Sequence, residues 1–402
     1  MKNFISYNES LQILNNIDIP TLGTQKLFIT QTLNKVLACD IVANHNLPDF
    51  PTSAMDGYAI KYEDQKFKQL KIIDKNPAGS ITDSSVDTGT CIKTFTGSLM
   101  PKGSDTLIPI ENVTVQNDTI IINEEVAKAY ATREVAESYK KGDILIKKGT
   151  IIDFAQIGVM ASLNIAQVEV YTKPNIAIAS TGSEILDIGQ EQTNDAQIRS
   201  SNHLTLEAIA TKYGANVNQM GVVKDDKQSI TNLLQNALLH NDIVVTTGGV
   251  SVGDYDFVKD IIKDTLKAEV LFQGVLIKPG QHILFAKKDD KYIVGLPGFA
   301  YSSTVTFLLY ILPLIFKYKG SNETLEVVDA IIKQDFNKKG NKAVFTACNL
   351  YYENSQYSID FKDKKQGTSA ILTNLLNNAG LLIQEDDSKP LKKGDNVKVI
   401  KL

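Results

Sequence analysis

The length and composition of the chain are those of a globular protein with several domains. At 402 residues it is longer than one ordinary domain, so we expect about two to four. Hydrophobic residues make up 43% and charged residues 22% of the sequence, which is typical of globular chains. The net charge of −4 provides no general basic field, and this excludes a nucleic-acid partner held by overall charge.

Cysteine usage and hydropathy predict a cytoplasmic protein. Cys39, Cys91 and Cys348 are far apart and form no CxxC pair, which predicts reduced thiols instead of disulfides or a zinc site. The N-terminus lacks the apolar core of a secretory signal. The most apolar segment, residues 305–316, contains Pro313 and is too short to cross a bilayer, so we expect a buried helix and no membrane partner.

The first 170 residues predict helices, then β structure, then mixed structure. Apolar residues recur at helical spacing from residue 5 to about 43, which predicts helices there. Short apolar runs separated by glycines predict a β-rich region over residues 56–128. Between 129 and 170 we expect a pair of strands within residues 140–152, followed by a helix that Asp153 caps.

Strands and helices alternate from residue 171 to about 320, and this predicts a doubly wound, mostly parallel α/β sheet. The predicted strands cover residues 175–181, 216–223, 242–249, 282–288 and 291–297. The predicted helices cover residues 200–214, 226–239, 255–266 and about 300–318. After residue 321 the patterns are again those of strands, with one short helix at 371–379, which predicts a separate small β domain.

The stretch TTGGVSVGDYD, from Thr246 to Asp256, is the strongest functional motif. Its glycines follow an apolar strand and let the backbone approach a ligand closely. Successive bare N–H groups in such a turn form a concave anion site. Because the carboxylates Asp254 and Asp256 follow at once, the motif predicts phosphate chemistry with a divalent metal between phosphate and carboxylate.

Other polar loops also follow predicted strands, where α/β sheets bind ligands. Each loop taken singly is compatible with a solvated turn, but together they favour one pocket. The candidate positions in these loops are Thr181, Gly182, Ser183, Glu184, Asp225, Lys278 and Ser302. The only two arginines of the chain are candidates for binding phosphate or carboxylate, Arg133 more than Arg199.

Three polar positions have simpler structural interpretations. Spacing alone favours an Asx turn at Asp56 and a tight β turn at Thr96–Gly97. Asp226 is a plausible N-cap of the helix that follows it, which would leave Asp225 to point towards the pocket.

Together the motifs resemble one family closely, the molybdopterin molybdenumtransferases, which include bacterial MoeA and the gephyrin E domain. The similar segments extend over almost the whole chain: PDFPTSAMDGYA, TGSLMPKGSD, STGSEI, QIRSSN, TTGGVSVGDYD, IKPG and GLPG. The resemblance implies a homodimer with four domains per subunit. These are a linker domain of residues 1–43 plus 129–170, a small β-rich domain of residues 44–128, a molybdopterin-binding α/β domain of residues 171–320 and a C-terminal β-barrel-like domain of residues 321–402.

The resemblance also implies the reaction. Adenylylated molybdopterin (molybdopterin-AMP) and molybdate react in a Mg²⁺-dependent step that cleaves the phosphoanhydride, releases AMP and leaves molybdenum on the dithiolene. In the family the β-rich domain faces the α/β domain of the partner subunit, so the active site would be shared across the homodimer. Further expected partners are the molybdopterin adenylyltransferase and the acceptor molybdoenzymes, in transient contacts.

Site residues follow from the resemblance by position. The implied catalytic residues are Asp56, Glu184, Asp225 and Asp256, of which the last three also bind the metal. The implied molybdate ligands are Lys278, Ser302, Lys342 and Ser369. The implied substrate-binding residues are Thr96, Gly97, Arg133, Thr181, Gly182, Ser201, Asn202, Gly248, Gly249, Val250, Ser251, Gly253, Lys278, Gly280, Pro297 and Gly298.

The chain differs from the family pattern at several positions. Family acids, lysines or other residues are replaced at Ser138, Ser183, Gln281, Phe299 and Ala300, and an expected arginine is Lys342. These differences are compatible with a divergent lineage of the enzyme or with an alternative function, a catalytically impaired paralogue that binds molybdopterin or acts as a scaffold. Four retained carboxylates around an anion pocket favour the enzyme. A third alternative, a molybdopterin adenylyltransferase, would lack the flanking β domains predicted here.

Overall fold

The computed structural model describes residues 4–20, 22–250, 257–338 and 340–402. Its internal contacts divide the chain into two compact units. The larger unit comprises Met1–Ala38, Gly149–Asp153 and Gln167–Leu402, and the smaller comprises Cys39–Lys148 and Phe154–Ala166. The boundaries of the four domains stay a prediction.

The larger unit begins with a short capped helix, Tyr7–Asn15. Ser6 Oγ accepts a hydrogen bond from the Glu9 amide at 3.1 Å, and the Glu9 carboxylate accepts one from the Ser6 amide at 2.7 Å. This capping box satisfies two amides that the helix itself leaves without partners. Leu14 then inserts into the apolar core of the unit, where it is buried.

The predicted helices between the end of this first helix and residue 43 are wrong. The chain instead forms the strand Thr24–Phe28, which pairs antiparallel with Gln167–Tyr171, and a single 3-10 turn at Ile29–Gln31. Leu37, one of the residues at helical spacing, is buried and forms an isolated bridge to Val170. Pairing with a segment distant in the sequence therefore overrides the local periodicity.

A six-stranded, mostly parallel sheet forms the centre of the larger unit. In spatial order its strands are Asn216–Val223, Asn175–Thr181, Ile243–Thr247, Lys291–Leu296, Leu284–Lys288 and Glu269–Gln273. The first four are parallel. Leu284–Lys288 pairs antiparallel with Lys291–Leu296, and Glu269–Gln273 pairs antiparallel with Leu284–Lys288. The doubly wound α/β fold and its five predicted strands are confirmed. The edge strand Glu269–Gln273 has no counterpart in the predictions.

Helices cover both faces of this sheet. Two separate apolar clusters, one built around Leu206 and the other around Leu234, pack against alternate residues of the same strands. The helices are Asn202–Lys212, Lys227–His240, Phe257–Asp260 with the π-helical turn Ile261–Thr265, and Ala300–Tyr318. The short strands Ile185–Leu186 and Ile198–Arg199 pair in a loop beside the sheet. All four predicted helices of this region are confirmed.

The helix Ala300–Tyr318 belongs to the core. It consists of the α-helical turns Ala300–Thr306 and Leu312–Tyr318 with the π-helical turn Phe307–Ile311 between them. With 19 residues and a mean hydropathy of 1.4 it could cross a membrane by length and composition, but 83% of its apolar stretch is buried inside the protein. The predicted burial is confirmed, although the helix is longer than the apolar run on which the prediction rested.

The C-terminal strands close into a five-stranded barrel. Around the barrel they are Ala343–Glu353, Gln356–Asp360, Val327–Ile332, Asn396–Lys401 and Ala379–Gln384, the last of which pairs with the first. The strand Ile277–Lys278 joins the barrel by parallel pairing with Ala343 and Val344. The predicted β-barrel-like architecture is confirmed, and the short helix predicted before the fifth strand is a 3-10 turn, Leu372–Leu375.

The smaller unit is built on a second six-stranded sheet. In spatial order its strands are Thr106–Pro109, Gly57–Ile60, Thr90–Thr94, Gln69–Asn76, Thr119–Ile122 and Val113–Gln116. Its other elements are the strand pairs Ile41–Val42 with Ile144–Ile146 and Thr52–Ser53 with Thr132–Arg133, the 3-10 turns Tyr62–Phe67 and Ile110–Asn112, and the helix Phe154–Ser162. The predicted helix after Asp153 is confirmed. The strand pair expected within residues 140–152 is wrong, because the one strand there pairs with Ile41–Val42.

Packing of the N-terminal helix predicts a large effect of Leu14→Ala. The side chain is 1% exposed, and its truncation should lower the free energy of unfolding by about 2–5 kcal/mol through lost burial and a residual cavity. Gln12→Ala, on an exposed position of the same helix, should change it by less than about 0.5 kcal/mol. Urea unfolding followed by circular dichroism measures both. Equal effects of the two substitutions would show that the helix is not docked through Leu14.

Candidate functional site

Three neighbouring parallel strands end together and bring polar loops into contact. Thr181 Oγ1 donates a hydrogen bond to the Thr247 carbonyl at 3.4 Å. The Gly248 amide donates to the carbonyl of Leu296 at 3.0 Å. Asn202, at the start of a helix, donates from Nδ2 to the carbonyl of Gly298 at 2.7 Å. These loops therefore converge at one edge of the sheet, whereas Lys278, which was predicted to share their pocket, lines a cavity beside the barrel.

Gly248 is required by the close approach of these loops. Its φ is +97°, and a Cβ built on it would lie 2.7 Å from the Thr181 carbonyl oxygen. The neighbouring Gly249 also has a positive φ, +66°, and a Cβ there would lie 2.6 Å from Val258. Because side chains are excluded at both positions, the backbone itself forms the surface that a ligand would meet. The rest of the motif, including Ser251 and Gly253, lies outside the described residues.

Several other predicted substrate-binding positions have mainly structural environments. Val250 is 5% exposed and packs in the apolar core cluster that includes Ile293. A Cβ on Gly280 would lie 2.2 Å from the Thr306 side chain, so this glycine permits close packing of a helix. Gly182, Ser201 and Pro297 belong to the loops that converge at the strand ends. The substrate-binding roles of all these residues stay predictions.

The described acidic residues lie at the ends of neighbouring strands. Glu184 follows the strand Asn175–Thr181, and Asp225 follows the adjacent strand Asn216–Val223. Asp226 accepts a hydrogen bond from the Ser229 amide at 2.8 Å, so its predicted role as an N-cap is confirmed. Hydrogen bonds from the Ser229 side chain and backbone hold the pKa of Asp226 below its ordinary value.

Two of the three predicted metal ligands, Glu184 and Asp225, are among the described residues. Asp256, the third, and Asp254 lie outside the described residues. Within the described part of the chain, no group of three or more His, Cys, Asp or Glu residues has the geometry to hold a metal ion. Glu184 and Asp225 are oxygen donors of the type that Mg²⁺ prefers, and the metal site stays a prediction.

A chain of polar groups, buried except for the half-buried Asp187, runs beneath the strand ends. His203 Nε2 lies 3.3 Å from Asp187 Oδ1, and its Nδ1 lies 2.7 Å from Ser200 Oγ. Ser200 Oγ donates to Ser180 Oγ at 3.1 Å, which lies 3.0 Å from Thr247 Oγ1. Because Thr247 precedes Gly248, these hydrogen-bonded groups connect the loop that contains Gly248 and Gly249 to the loop that follows Glu184. The sequence signal for it was weak: two hydroxyl residues at the end of an apolar strand and a histidine without metal-ligand spacing.

A cavity of about 390 Å³ lies between the α/β region and the barrel, within the larger unit. Two predicted molybdate ligands, Lys278 and Ser369, line it. Ser302 is buried beside it, and its amide donates to the carbonyl of Ser369 at 3.1 Å. Tyr301 also lines the cavity, donates from its hydroxyl to the Phe345 carbonyl at 2.9 Å and stays neutral because burial raises its pKa.

Lys342 is placed differently from the prediction. It is not among the residues that line the cavity, and its ammonium donates a hydrogen bond to Gln281 Oε1. Thus the structure brings together three of the four predicted molybdate ligands and directs the fourth to a neighbouring side chain. Lys338, Lys365, Thr368 and Asn374, which the sequence did not single out, line the cavity as well.

In the smaller unit, the predicted pair Asp56 and Thr96 is in direct contact. Asp56 Oδ1 accepts hydrogen bonds from the Thr96 amide at 2.8 Å and from its hydroxyl at 2.7 Å. The backbone bond, followed by the side-chain bond, holds the pKa of Asp56 below its ordinary value. The Asx turn favoured by spacing is therefore replaced by a longer-range contact. The tight turn is confirmed, since the Ser98 amide donates to the Phe95 carbonyl at 3.0 Å around Gly97.

The two arginines make exposed or loop contacts. Arg133 Nε donates to Glu137 Oε1 at 3.3 Å, and both side chains are about half exposed. Arg199 donates from Nη1 to the carbonyl of Gln190 at 2.8 Å, which fixes the loop that contains Asp187. Neither contact tests the predicted role in phosphate binding.

A mostly parallel α/β sheet with glycine-lined strand ends, beside a β-barrel, defines a multidomain protein of the α/β and β class. Two family descriptions match this chain. Residues 5–164 match "MoeA N-terminal region (domain I and II)", and residues 177–317 match "Probable molybdopterin binding domain".

Individual proteins are similar over most of the chain. The molybdopterin molybdenumtransferase of Staphylococcus aureus (strain Mu50) is 34% identical over 344 residues, which cover 84% of this chain and 81% of that protein. The molybdopterin molybdenumtransferase of Staphylococcus epidermidis (strain RP62A) is 32% identical over 317 residues, which cover 77% of this chain and 75% of that protein. The crystal structure of the molybdopterin biosynthesis moeA protein from Pyrococcus horikoshii OT3 covers both chains completely, with 29% identity and a TM-score of 0.84. The chain thus belongs to the MoeA family of molybdopterin molybdenumtransferases.

The Asp56–Thr96 contact predicts a pKa change in Thr96→Val. This substitution removes the hydroxyl donor but keeps the backbone donor, so the pKa of Asp56 should rise and still remain below its ordinary value of 3.8. Because the folded pKa is depressed, the contact stabilises the protein above that ordinary value, and the stabilisation is lost as pH falls through the folded pKa. Carbon-13 NMR titration of the carboxyl measures the shift. An unchanged pKa in Thr96→Val, as expected for the control Thr119→Val, would contradict the contact.

The buried polar chain predicts a loss of stability in His203→Leu. The substitution leaves the buried Ser200 hydroxyl with one partner fewer, and it should lower the free energy of unfolding by about 1–3 kcal/mol. His240→Leu, at an exposed position on a helix end, should have an effect below about 0.5 kcal/mol. Urea unfolding of both variants gives the comparison. A His203→Leu protein as stable as the parent would mean that the chain of hydrogen bonds carries no net stabilisation.

Proposed function

We propose that this chain inserts molybdenum into molybdopterin in the biosynthesis of the molybdenum cofactor. Adenylylated molybdopterin and molybdate would be the substrates, and AMP and molybdenum-loaded molybdopterin the products. The observation that carries this proposal is the presence, in one compact unit, of backbone-lined strand ends and of a separate cavity that contains lysines and no acidic residue. The 34% identity to a curated molybdopterin molybdenumtransferase supports the same reaction.

The strand ends suit the pterin and phosphate part of the substrate. Backbone amides around Gly248 and Gly249 can approach phosphate oxygens without a side chain between them. Asn202 is held against Gly298 by its hydrogen bond and can orient a polar ring edge through its remaining groups. The positive end of the helix that begins at Asn202 favours anions at the same place.

A divalent cation fits the acidic side of this proposed site. Glu184, Asp225 and Asp256 would hold Mg²⁺, which would neutralise phosphate charge when bound. The protein's own contribution is to place Glu184 and Asp225 just after the ends of adjacent strands. Without a cation, the carboxylates would repel both anionic substrates.

A homodimer with a shared active site completes the proposal. Asp56 belongs to the smaller unit and the other three catalytic candidates to the larger, and the family arrangement would bring them together across two subunits. Asp56 is fixed by Thr96 in its ionised form, so it can act as a hydrogen-bond acceptor at neutral pH. The protein would act in the cytoplasm and contact the adenylyltransferase and acceptor molybdoenzymes transiently.

Molybdate-dependent release of AMP tests the reaction. The purified chain is incubated with adenylylated molybdopterin, molybdate and Mg²⁺, and AMP is quantified by chromatography. Asp56→Asn and Asp256→Asn should each reduce the rate by about 100-fold or more, because each removes a charged group from the reacting site. Asp289→Asn, at an exposed turn where Asn tolerates the positive φ, should leave the rate unchanged. Tight binding of the substrate without AMP release would favour a molybdopterin-binding paralogue instead.

Mixing the two inactive variants tests the shared site. If each site takes Asp56 from one subunit and Asp256 from the other, a mixed dimer contains one intact site, and random exchange of subunits restores about one quarter of the parent activity. If both residues act within one subunit, no mixture contains an intact site and activity stays absent. Both interpretations require that the subunits have exchanged, and mass spectrometry of labelled chains confirms the exchange.

A further inference from the structure

The cavity beside the barrel is lined by three lysines, of which the family pattern assigned only Lys278. The lining residues that the structure describes include no aspartate or glutamate, whereas Lys278, Lys338 and Lys365 all contribute to the cavity. Polar groups that can donate to an anion are present on Thr346, Thr368 and Ser369. This composition suits a small, highly charged oxyanion better than a neutral ligand.

These lysines differ in how many hydrogen bonds their ammonium groups already donate within the protein. Lys338 donates to the backbone carbonyls of Glu385, Asp386 and Lys342, which uses its three donors. Lys342, outside the lining, donates to Gln281. Among the described residues, the ammonium groups of Lys278 and Lys365 have no hydrogen-bond or ion-pair partner. These two lysines are therefore the ones whose ammonium groups can turn to a ligand.

Lys365 is held in place through its backbone. Its amide donates to Asn374 Oδ1 at 2.9 Å, and its carbonyl accepts from Asn374 Nδ2 at 2.7 Å. Asn374 is only 4% exposed, and the Lys364 ammonium donates to the Asn374 carbonyl at 2.8 Å. At the other end of the same loop, the Ser302 amide donates to the carbonyl of Ser369. The loop 365–369 is thus fixed at both ends before any ligand binds, which lowers the entropic cost of binding.

We propose that Lys365, positioned by Asn374, joins Lys278 as the second cationic contact for the tetrahedral oxyanion, in the place that the family pattern gives to position 342. The proposal rests on the proposed function only for the identity of the oxyanion as molybdate. Two ammonium groups match a dianion in charge, and point charges on flexible stems do not require the fork geometry of an arginine. The Lys342 ammonium serves to fix Gln281 beside the cavity.

Binding of molybdate alone tests this assignment. Equilibrium dialysis of the full chain, with molybdenum measured by mass spectrometry, gives the affinity without any need for the pterin substrate. Lys365→Ala should weaken binding about tenfold or more, because it removes a charge-assisted contact. Lys365→Arg should restore most of the affinity, and Lys342→Ala should change it less than about threefold. Lys362→Ala, three residues away and exposed, is the matched control and should bind as the parent does.

Asn374→Ala separates the positioning role from the charge. It retains all the lysines but releases the backbone of Lys365, so molybdate binding should weaken while the dependence of affinity on salt concentration remains that of the parent. Lys365→Ala should instead flatten that salt dependence. Thermal unfolding of each variant checks that the barrel is intact.

The outcomes distinguish this inference from the proposed function. Unchanged binding in Lys365→Ala, or equal losses in the Lys365, Lys342 and Lys362 variants, would overturn the assignment. If Lys365 is required for molybdate binding but the parent releases no AMP, the oxyanion site stands and the insertase reaction fails. If the parent and Lys365→Ala both release AMP, and the rate depends on molybdate concentration in the same way in both, the reaction stands and the proposed role of Lys365 is wrong.

Discussion

The common end point of the central parallel strands determines where the functional loops lie. Hydrogen-bonded register pairs Ser180 with Thr247 and Thr247 with Leu296, so these strands stop at the same level of the sheet. Their loops must then share a small space, and Gly248 meets this constraint because no Cβ fits beside the Thr181 carbonyl. The buried chain from Asp187 through His203 to Thr247 ties the same strand ends to the flanking loop. A change in register would displace every group of the proposed pterin site at once.

Charge explains why the larger unit combines two kinds of proposed anion site. The whole chain is acidic, with a net charge of −4, and cannot attract anionic substrates by its overall field. Backbone amides at the strand ends provide local partial positive charge beside carboxylates that would hold a cation in the proposed reaction. The cavity beside the barrel has lysines and no acidic residue among its described lining residues. The two arrangements therefore suit a phosphate that binds with a metal and an oxyanion that binds without one.

Sequence patterns predict this protein well where local signals and tertiary contacts agree. The strands and helices from residue 175 to 318 have apolar periods that match the sheet and its covering helices, and Asp226 caps the helix that its position predicts. The helix predicted around Leu37 does not form, because this residue pairs with Val170, which is far away in the sequence. The family resemblance assigned Asp56 and Thr96 to one site and Lys278 and Ser369 to another. It gave no indication that Lys342 donates a hydrogen bond to Gln281. Nor did it indicate that Asn374 binds the backbone of Lys365. Such contacts depend on side-chain placement, for which spacing in sequence carries no signal.

Anomalous diffraction at the molybdenum edge, from crystals that contain adenylylated molybdopterin and molybdate, would locate both proposed sites in one experiment. We expect pterin and phosphate density over Gly248 and Gly249, and a molybdenum peak in the cavity between Lys278 and Lys365. A molybdenum peak outside that cavity, with the nucleotide bound away from the strand ends, would contradict both the proposed sites and the reaction built on them.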